Sequence, residues 1–307
     1  MTARADVNAP SPPPTPSPLP SSRRPLPRAW QPLTWRGVAA FSRARSGRLL
    51  LVQGIVLLLY AGAVFWFLNT VWFPIIRDAI GQLPETGQME NQQLVSTRIS
   101  TEPLVPSRFV AFLINAHETG ASQRVADLQV EFRTRRVVVC SFLGCRSVYY
   151  VAGWRMPLNR PELESWWQAW EPVIYIIGVG AATLLVFVSW LLLATLYCPF
   201  VRLYAFLKDR DVTLLGSWKL ASAALLPGSL LVSTALVLYG LGTIGVIRFF
   251  CLWVLHFVLG WVFAAVSTTR LPSTADALPE ASQNPFGDGE EKEKARPDPN
   301  PFVAAKS

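Results

Sequence analysis

Four long stretches of the chain contain no Asp, Glu, Lys or Arg and consist mainly of apolar side chains. They are Leu49–Ile76, Pro172–Val201, Leu220–Ile247 and Phe249–Thr269. A helix needs about 20 apolar residues to cross ~30 Å of hydrocarbon, and within the bilayer a helix satisfies its own backbone hydrogen bonds. The pattern therefore predicts four transmembrane helices at 49–76, 172–201, 220–247 and 249–269, rather than core helices of a soluble protein.

Between the first two stretches, residues 77–171 show a different pattern. Leu128–Arg133 alternates apolar and polar side chains, which is typical of a half-buried strand. Arg136–Ser141 and Cys145–Val151 read as two further strands, and Gly144 suits the turn between them.

Ser107–Thr119 has apolar residues at helical spacing, followed by Gly120 as a candidate cap, and predicts a short helix. The fold expected is therefore an all-α membrane protein of four transmembrane helices. A small α+β extracytoplasmic domain, built on an antiparallel sheet over 77–171, is inserted between helices 1 and 2.

The composition of the ends differs from that of the spans. Residues 1–34 are rich in Pro and Ser, and 270–307 are acidic and Pro-rich, so both predict disordered tails. The segment 35–48 is basic and juxtamembrane, and we expect it to lie along the inner leaflet. Residues 202–219 predict a cytoplasmic loop at the membrane surface.

Charge decides the orientation of these elements. Residues 1–48 contain eight basic residues and one acidic residue, whereas 77–171 carries ten of each. Basic residues near spans stay in the cytoplasm, and long segments cross largely regardless of charge. We therefore predict both termini in the cytoplasm, with 77–171 outside, in a cell inner (cytoplasmic) membrane. The net charge of +8 is then a topology signal, and nothing indicates a nucleic-acid partner.

Cys140 and Cys145 lie between the last two predicted strands and could form a metal clip, a redox pair or a disulfide. A zinc site needs three or four ligands, and His117 is the only histidine in the outward segment. A redox pair usually has the spacing Cys-x-x-Cys. An extracytoplasmic hairpin places cross-strand cysteines within disulfide range, so we predict a structural disulfide. Cys198 and Cys251 are expected to be buried thiols.

Inside the spans the chain offers few candidates for chemistry. His256 is the one intramembrane ionisable residue, with Arg248 at the outer end of its helix. A proton relay needs further titratable groups, so a hydrogen bond to a neighbouring helix is the expected role. Gly240-x-Gly-x-x-Gly245 follows a span rather than a strand and reads as a turn, and Pro227 should kink the third span. No catalytic, cofactor or metal constellation is found.

Partners are indicated only weakly. The lipid bilayer is the expected partner, with other membrane proteins or a homo-oligomer as further possibilities. Asn-Pro-Phe occurs at Asn284–Phe286 and again at Asn300–Phe302, in the predicted C-terminal tail. These triplets resemble the peptides that EH domains bind, and a docking role is one hypothesis beside a simple tail.

The run Tyr197-Cys-Pro-Phe-Val-Arg-Leu-Tyr204 and the stretch Gly216–Gly228 strengthen one resemblance. Together with the order of one span, an insert and three spans, they make the chain similar to uncharacterised bacterial inner-membrane proteins with an extracytoplasmic insert. The resemblance brings no site residues. Our first hypothesis for the function is a non-enzymatic membrane protein with an outward binding or sensing domain. The alternatives are a component of a transport or envelope-assembly complex and, third, a membrane enzyme.

Overall fold

A computed structural model describes residues 29–90, 93–96, 102–114, 125–153 and 155–274. His117 and both Asn-Pro-Phe triplets lie outside these residues. Four helical segments are long and apolar enough to cross a membrane, which is consistent with a multi-pass membrane protein. We call them span 1 (Ser46–Gly81), span 2 (Arg160–Leu207), span 3 (Leu214–Gly240) and span 4 (Val246–Thr268).

The first two spans are longer than the charge-free stretches predict. Span 1 consists of α2 (Ser46–Phe67), a π-helical turn (Leu68–Trp72) and α3 (Phe73–Gly81). The π-helical turn ends two residues before Pro74, whose ring cannot fit beside an ordinary i−4 carbonyl. Span 2 is the single helix α4 (Arg160–Leu207), with 48 residues and a length of about 72 Å at 1.5 Å per residue.

Span 3 is interrupted in the middle. It comprises α5 (Leu214–Ala224) and α6 (Leu226–Gly240), which meet at Leu225. Pro227 has no N–H to donate to the carbonyl of Ala223, so the hydrogen-bond ladder breaks there. The kink predicted at Pro227 is thus confirmed as a helix break. Span 4 is the single helix α7 (Val246–Thr268).

The predicted cytoplasmic loop at 202–219 is wrong at both ends. α4 continues to Leu207 and α5 begins at Leu214, where the Thr213 side chain accepts a hydrogen bond from the backbone N–H of Gly216. The prediction places charged residues outside the spans, yet Lys219 lies inside α5 and is buried. Its Nζ donates to the carbonyl of Ala44 at 2.8 Å, and this hydrogen bond offsets the desolvation of the ammonium.

The predicted juxtamembrane segment is also corrected. It forms α1 (Trp35–Phe41), and Val38, Ala39 and Phe41 in this helix have no exposed surface. α1 packs against α5 and α7, so its buried residues lie at one end of the bundle. The predicted C-terminal tail likewise begins with ordered residues, because Arg210 and Ser273 form an antiparallel bridge.

Between α3 and α4, the described residues form seven short strands. They are β1 (Gly87–Glu90), β2 (Gln93–Ser96), β3 (Val110–Ile114), β4 (Leu128–Phe132), β5 (Arg136–Ser141), β6 (Gly144–Tyr149) and β7 (Met156–Pro157). They form a three-stranded sheet in the order β2-β1-β7 and a four-stranded sheet in the order β3-β4-β5-β6. The strands predicted at β4, β5 and β6 are confirmed, with β6 shifted by one or two residues.

Two expectations for this region fail. Val110–Ile114, within the predicted helix 107–119, is strand β3, and it pairs parallel to β4, so the sheet is mixed rather than antiparallel. Its run of five apolar residues is buried at four positions, and packing on both faces favours a strand over the helical pattern. Residues 115–119 lie outside the described residues.

The alternation along β4 is present with the opposite burial. Gln129 and Glu131 are buried, whereas Leu128, Val130 and Phe132 are half-buried. Glu131 can be buried because it forms an ion pair with Arg133, whose Nη2 lies 3.0 Å from Oε2 of Glu131. A pattern of apolar and polar residues shows that a strand has two faces, but partners decide which face is covered.

Candidate functional site: the junction between sheet and helices

The four-stranded sheet meets the helical bundle at the turn between α6 and α7. Arg108, just before β3, directs its guanidinium at this turn. Nη1 donates to the carbonyl of Gly242 at 2.8 Å, and Nη2 donates to the carbonyls of Ile244 at 2.9 Å and Tyr239 at 3.2 Å. One side chain therefore binds three backbone carbonyls where a helix ends, a position at which a cation is stabilised by the helix dipole.

The glycines of the turn make this contact possible. Gly242 has φ of +82°, in the region that favours glycine. A Cβ at Gly242 would lie 3.2 Å from Nη1 of Arg108, and a Cβ at Gly240 would lie 2.7 Å from the Trp66 ring. The prediction that Gly240–Gly245 is a turn is confirmed. The turn also packs closely, against a guanidinium and an aromatic ring.

A second polar contact joins the sheet to the same helix end. The Tyr239 hydroxyl donates to Oδ2 of Asp127, next to β4, at 2.8 Å. The backbone N–H of Asp127 donates to the carbonyl of Arg108 at 2.8 Å. Arg108 and Asp127, which both contact this helix end, are thus hydrogen-bonded to each other, and this bond fixes their relative positions.

An aromatic cluster surrounds these polar contacts. The Tyr239 ring stacks on Phe67 of α2 with centroids 5.7 Å apart, and on Phe249 of α7 at 5.4 Å. Phe109 meets Tyr239 edge to face at 5.2 Å, and its ring lies 4.6 Å from the guanidinium carbon of Arg108. Spans 1, 3 and 4 and the sheet therefore meet at one ring, that of Tyr239.

The cysteine hairpin makes the third contact. Cys140 and Cys145 are a cross-strand pair of β5 and β6 and form a disulfide, with Cα atoms 4.0 Å apart. Gly144 has φ of +115°, as its predicted place in the turn requires. At the tip, the Phe142 ring lies 5.2 Å from the Phe250 ring of α7, and Leu143 is 81% exposed. The disulfide thus closes a hairpin whose apolar tip touches span 4.

The predicted intramembrane residues lie elsewhere. His256 is half-buried in α7, and its Nδ1 bonds to the carbonyl of Trp253 in the same helix, so the expected hydrogen bond to a neighbouring helix is wrong. Arg248 is exposed in the first turn of α7. Cys198 is buried as expected, whereas Cys251 is exposed on the surface of α7.

Sequence reasoning did not identify Arg108, Asp127 or Tyr239. Arg108 and Asp127 lie outside a recognisable motif, and their contacts with Tyr239 span more than 100 residues. The available signal was the glycine-rich turn, whose carbonyls at a helix end need a donor. Within the described residues, no group of three or more His, Cys, Asp or Glu side chains is placed to hold a metal ion.

At the opposite end of the bundle, arginine side chains form an ion pair and a hydrogen bond to the backbone. Nη2 of Arg43 lies 3.2 Å from Oδ2 of Asp211, and Nη1 of Arg210 donates to the carbonyl of Leu271 at 2.8 Å. The first and last described segments therefore meet the α4–α5 connection at the end remote from the sheet.

Comparison with known proteins gives no relative. No protein-family model matches the chain, and neither a curated protein nor a solved structure matches it.

Proposed function

We propose that the chain is a non-enzymatic integral membrane protein in which an extracytoplasmic sheet binds or senses a partner and passes its state to the helical bundle. The protein lies in a cell inner membrane, and both of its termini are in the cytoplasm. The basic segment before span 1 and the loop with Arg210 lie at the end remote from the sheet, which supports this orientation by the positive-inside rule. The disulfide supports it as well, since an oxidising compartment is needed.

The observation that carries the proposal is the contact of Arg108 with three carbonyls of the α6–α7 turn. A domain that is only tethered to the membrane by its helices does not need side-chain hydrogen bonds to the turn between two spans. Here any displacement of the sheet must break the Arg108 contacts or move the turn, and the turn joins spans 3 and 4. A partner would act on the bundle by binding one arrangement of this junction better than another.

The surface offered to a partner is β6. All six residues of this strand are exposed, and it lies at the edge of its sheet. Among the described residues β6 pairs only with β5, so its outer N–H and C=O groups can accept a strand from another chain. Val148 and Tyr149 add 63% and 67% exposed side chains to this edge.

The orientation is tested by cysteine labelling in intact cells. In a background of Cys198→Ser and Cys251→Ser, we expect Val148→Cys to react with a membrane-impermeant maleimide. The matched control is Leu33→Cys, which is also well exposed but lies at the opposite end; it should react only after permeabilisation. The reverse order of labelling would overturn the orientation, and with it the proposal.

The binding role is tested by placing a photo-crosslinking amino acid at Ser147 on β6. We expect a discrete adduct that a β6 variant carrying prolines no longer forms, since proline removes the N–H groups a strand needs. The same amino acid at Thr195, exposed on α4, should give no such adduct. Equal adducts at both positions would show that the strand has no partner of its own.

A second function, a component of a membrane transport or envelope-assembly complex, is favoured by the interruption of span 3 at Leu225. Broken helices line substrate sites in many transporters. Pro227→Ala restores the missing donor. Loss of transport in proteoliposomes with a folded Pro227→Ala protein would support this function over sensing, whereas unchanged behaviour would speak against it.

A further inference from the structure

A cavity of about 410 Å³ is lined by residues of all four spans, along the first half of α7. Its walls include Tyr60 of α2, Trp190 of α4, Ser229 of α6 and His256 of α7. The volume is within the range of small-molecule sites, roughly 300–1,000 Å³. It adjoins the junction, because Phe249 and Phe250 line both, but the proposed function of the sheet does not use it.

The cavity wall is mainly aromatic. Besides Tyr60 and Trp190, four aromatic rings of α7 face it: Phe249, Phe250, Trp253 and Phe257. Flat rings pack against such walls in offset or edge-to-face geometry, and such ring pairs are more favourable than burial alone. The wall therefore favours a planar ligand over a plain alkyl chain.

Most polar groups of the wall are already bonded. Nε1 of Trp190 donates to Oγ of Ser229 at 2.7 Å, and Ser229 in turn donates to the carbonyl of Leu225 at 3.2 Å. Ser189 donates to the carbonyl of Val186 at 2.7 Å. These hydrogen bonds hold the three side chains in place, and their N–H and O–H groups are not available to a ligand.

Two groups keep unused hydrogen-bonding capacity. The Tyr60 hydroxyl forms no hydrogen bond with any described residue, and His256 uses only Nδ1. Because Nδ1 donates its proton to a carbonyl, the neutral imidazole presents Nε2 as an acceptor. At the middle of a bilayer no bulk water satisfies these groups, so a ligand that carries a hydroxyl would complete them.

We propose that this cavity binds a neutral, lipid-soluble phenol with an apolar tail, the chemistry of prenylated quinols. The ring lies among the aromatic side chains, its hydroxyl donates to Nε2 of His256 or accepts from the Tyr60 hydroxyl, and the tail extends into the membrane. An acyl chain of a phospholipid lacks both features, since its polar groups stay at the membrane surface.

The test is calorimetric titration of the full chain in lipid nanodiscs, with empty nanodiscs to subtract partitioning. The probe is 4-nonylphenol, compared with nonylbenzene, which lacks the hydroxyl, and 1-nonanol, which lacks the ring. We expect saturable binding of the phenol, with each comparison compound about 2–10-fold weaker, the equivalent of one lost hydrogen bond or ring contact. Equal affinity for all three, or no saturable binding, would overturn the proposal.

Variants then locate the site. Tyr60→Phe and His256→Leu should each weaken 4-nonylphenol binding about 2–10-fold and leave nonylbenzene unaffected. Tyr175→Phe is the matched control, because the Tyr175 hydroxyl bonds to Asn69 outside the cavity; it should leave both probes unchanged. Ser189→Leu, which fills the cavity, should weaken both. If Tyr60→Phe and Tyr175→Phe behave alike, the phenol binds elsewhere.

Discussion

Removing the Arg108 side chain is the sharpest test of the junction. Arg108→Ala deletes three hydrogen bonds to the α6–α7 turn, at 2.8, 2.9 and 3.2 Å, and the contact with the Phe109 ring. The sheet itself does not depend on this side chain. We therefore expect the turn to open locally while the sheet and the spans stay folded.

The magnitude follows from exposure. Two of the three hydrogen bonds are exposed and one is half-buried, so we assign roughly 1 kcal/mol to each rather than the 1.5–3 kcal/mol of a buried charged bond. The cation–π contact and the helix end add about 1 kcal/mol together. Ordering the arginine costs up to about 2 kcal/mol. The net is about 2 kcal/mol, or roughly 30-fold in the opening equilibrium.

Amide hydrogen exchange of residues 241–245 measures this opening. Arg108→Ala should accelerate exchange there about 30-fold, and Arg108→Lys should fall between, because one ammonium cannot bind three carbonyls. Arg248→Ala is the matched control: it removes the same charge from the same end, but the exposed Arg248 forms no hydrogen bond or ion pair with a described residue. Exchange within about threefold of wild type in Arg108→Ala would refute the reasoning, as would an equal effect of Arg248→Ala.

Three further predictions concern stability. Replacing Cys140 and Cys145 by Ser should destabilise the hairpin by about 2 kcal/mol, measured as faster proteolysis at its tip, and unchanged cleavage would contradict the cross-link role. Ser222→Ala leaves the buried amide of Gln53 without its 2.7 Å hydrogen bond and should lower the free energy of unfolding by about 1–3 kcal/mol, measured by thermal unfolding. Gln53→Leu should cost less, because it also removes a buried carbonyl oxygen that has no partner. The opposite order of the two variants would contradict this. Burial raises the pKa of Tyr150 to about 12 from 10.0. The folded state therefore favours the neutral phenol, and stability should fall as pH rises from 10 towards 12 in wild type, with a smaller fall in Tyr150→Phe; identical pH profiles would contradict it.

The spans were predictable because the bilayer imposes one rule that a sequence can show: long stretches without charge form helices. Their ends were not predictable by the same rule. Lys219 is a charge inside a span, and it is tolerated because a carbonyl 2.8 Å away accepts a hydrogen bond from its ammonium. That partner, Ala44, is 175 residues distant in sequence, so no local pattern reports it.

The hairpin with the disulfide was predictable for a similar reason. Alternation, a glycine and two cysteines five residues apart are all local signals, and β5 and β6 follow them. Strand β3 was missed because five apolar residues in a row fit a buried strand and a helix equally well. Its parallel partner β4 begins 14 residues after β3 ends, and only that pairing decides between the two.

The contacts that sequence reasoning missed share one element, span 3. Arg108 binds the end of span 3 nearer the sheet, and Lys219 near the other end bonds to Ala44. In the middle of the span, Ser222 bonds to Gln53 and Ser229 to Trp190. Span 3 is also the most buried of the four. A helix that contacts every other span cannot move independently, so a change at the α6–α7 turn must be absorbed within it. The break at Leu225, where the backbone ladder is already interrupted, is the place where that adjustment costs least.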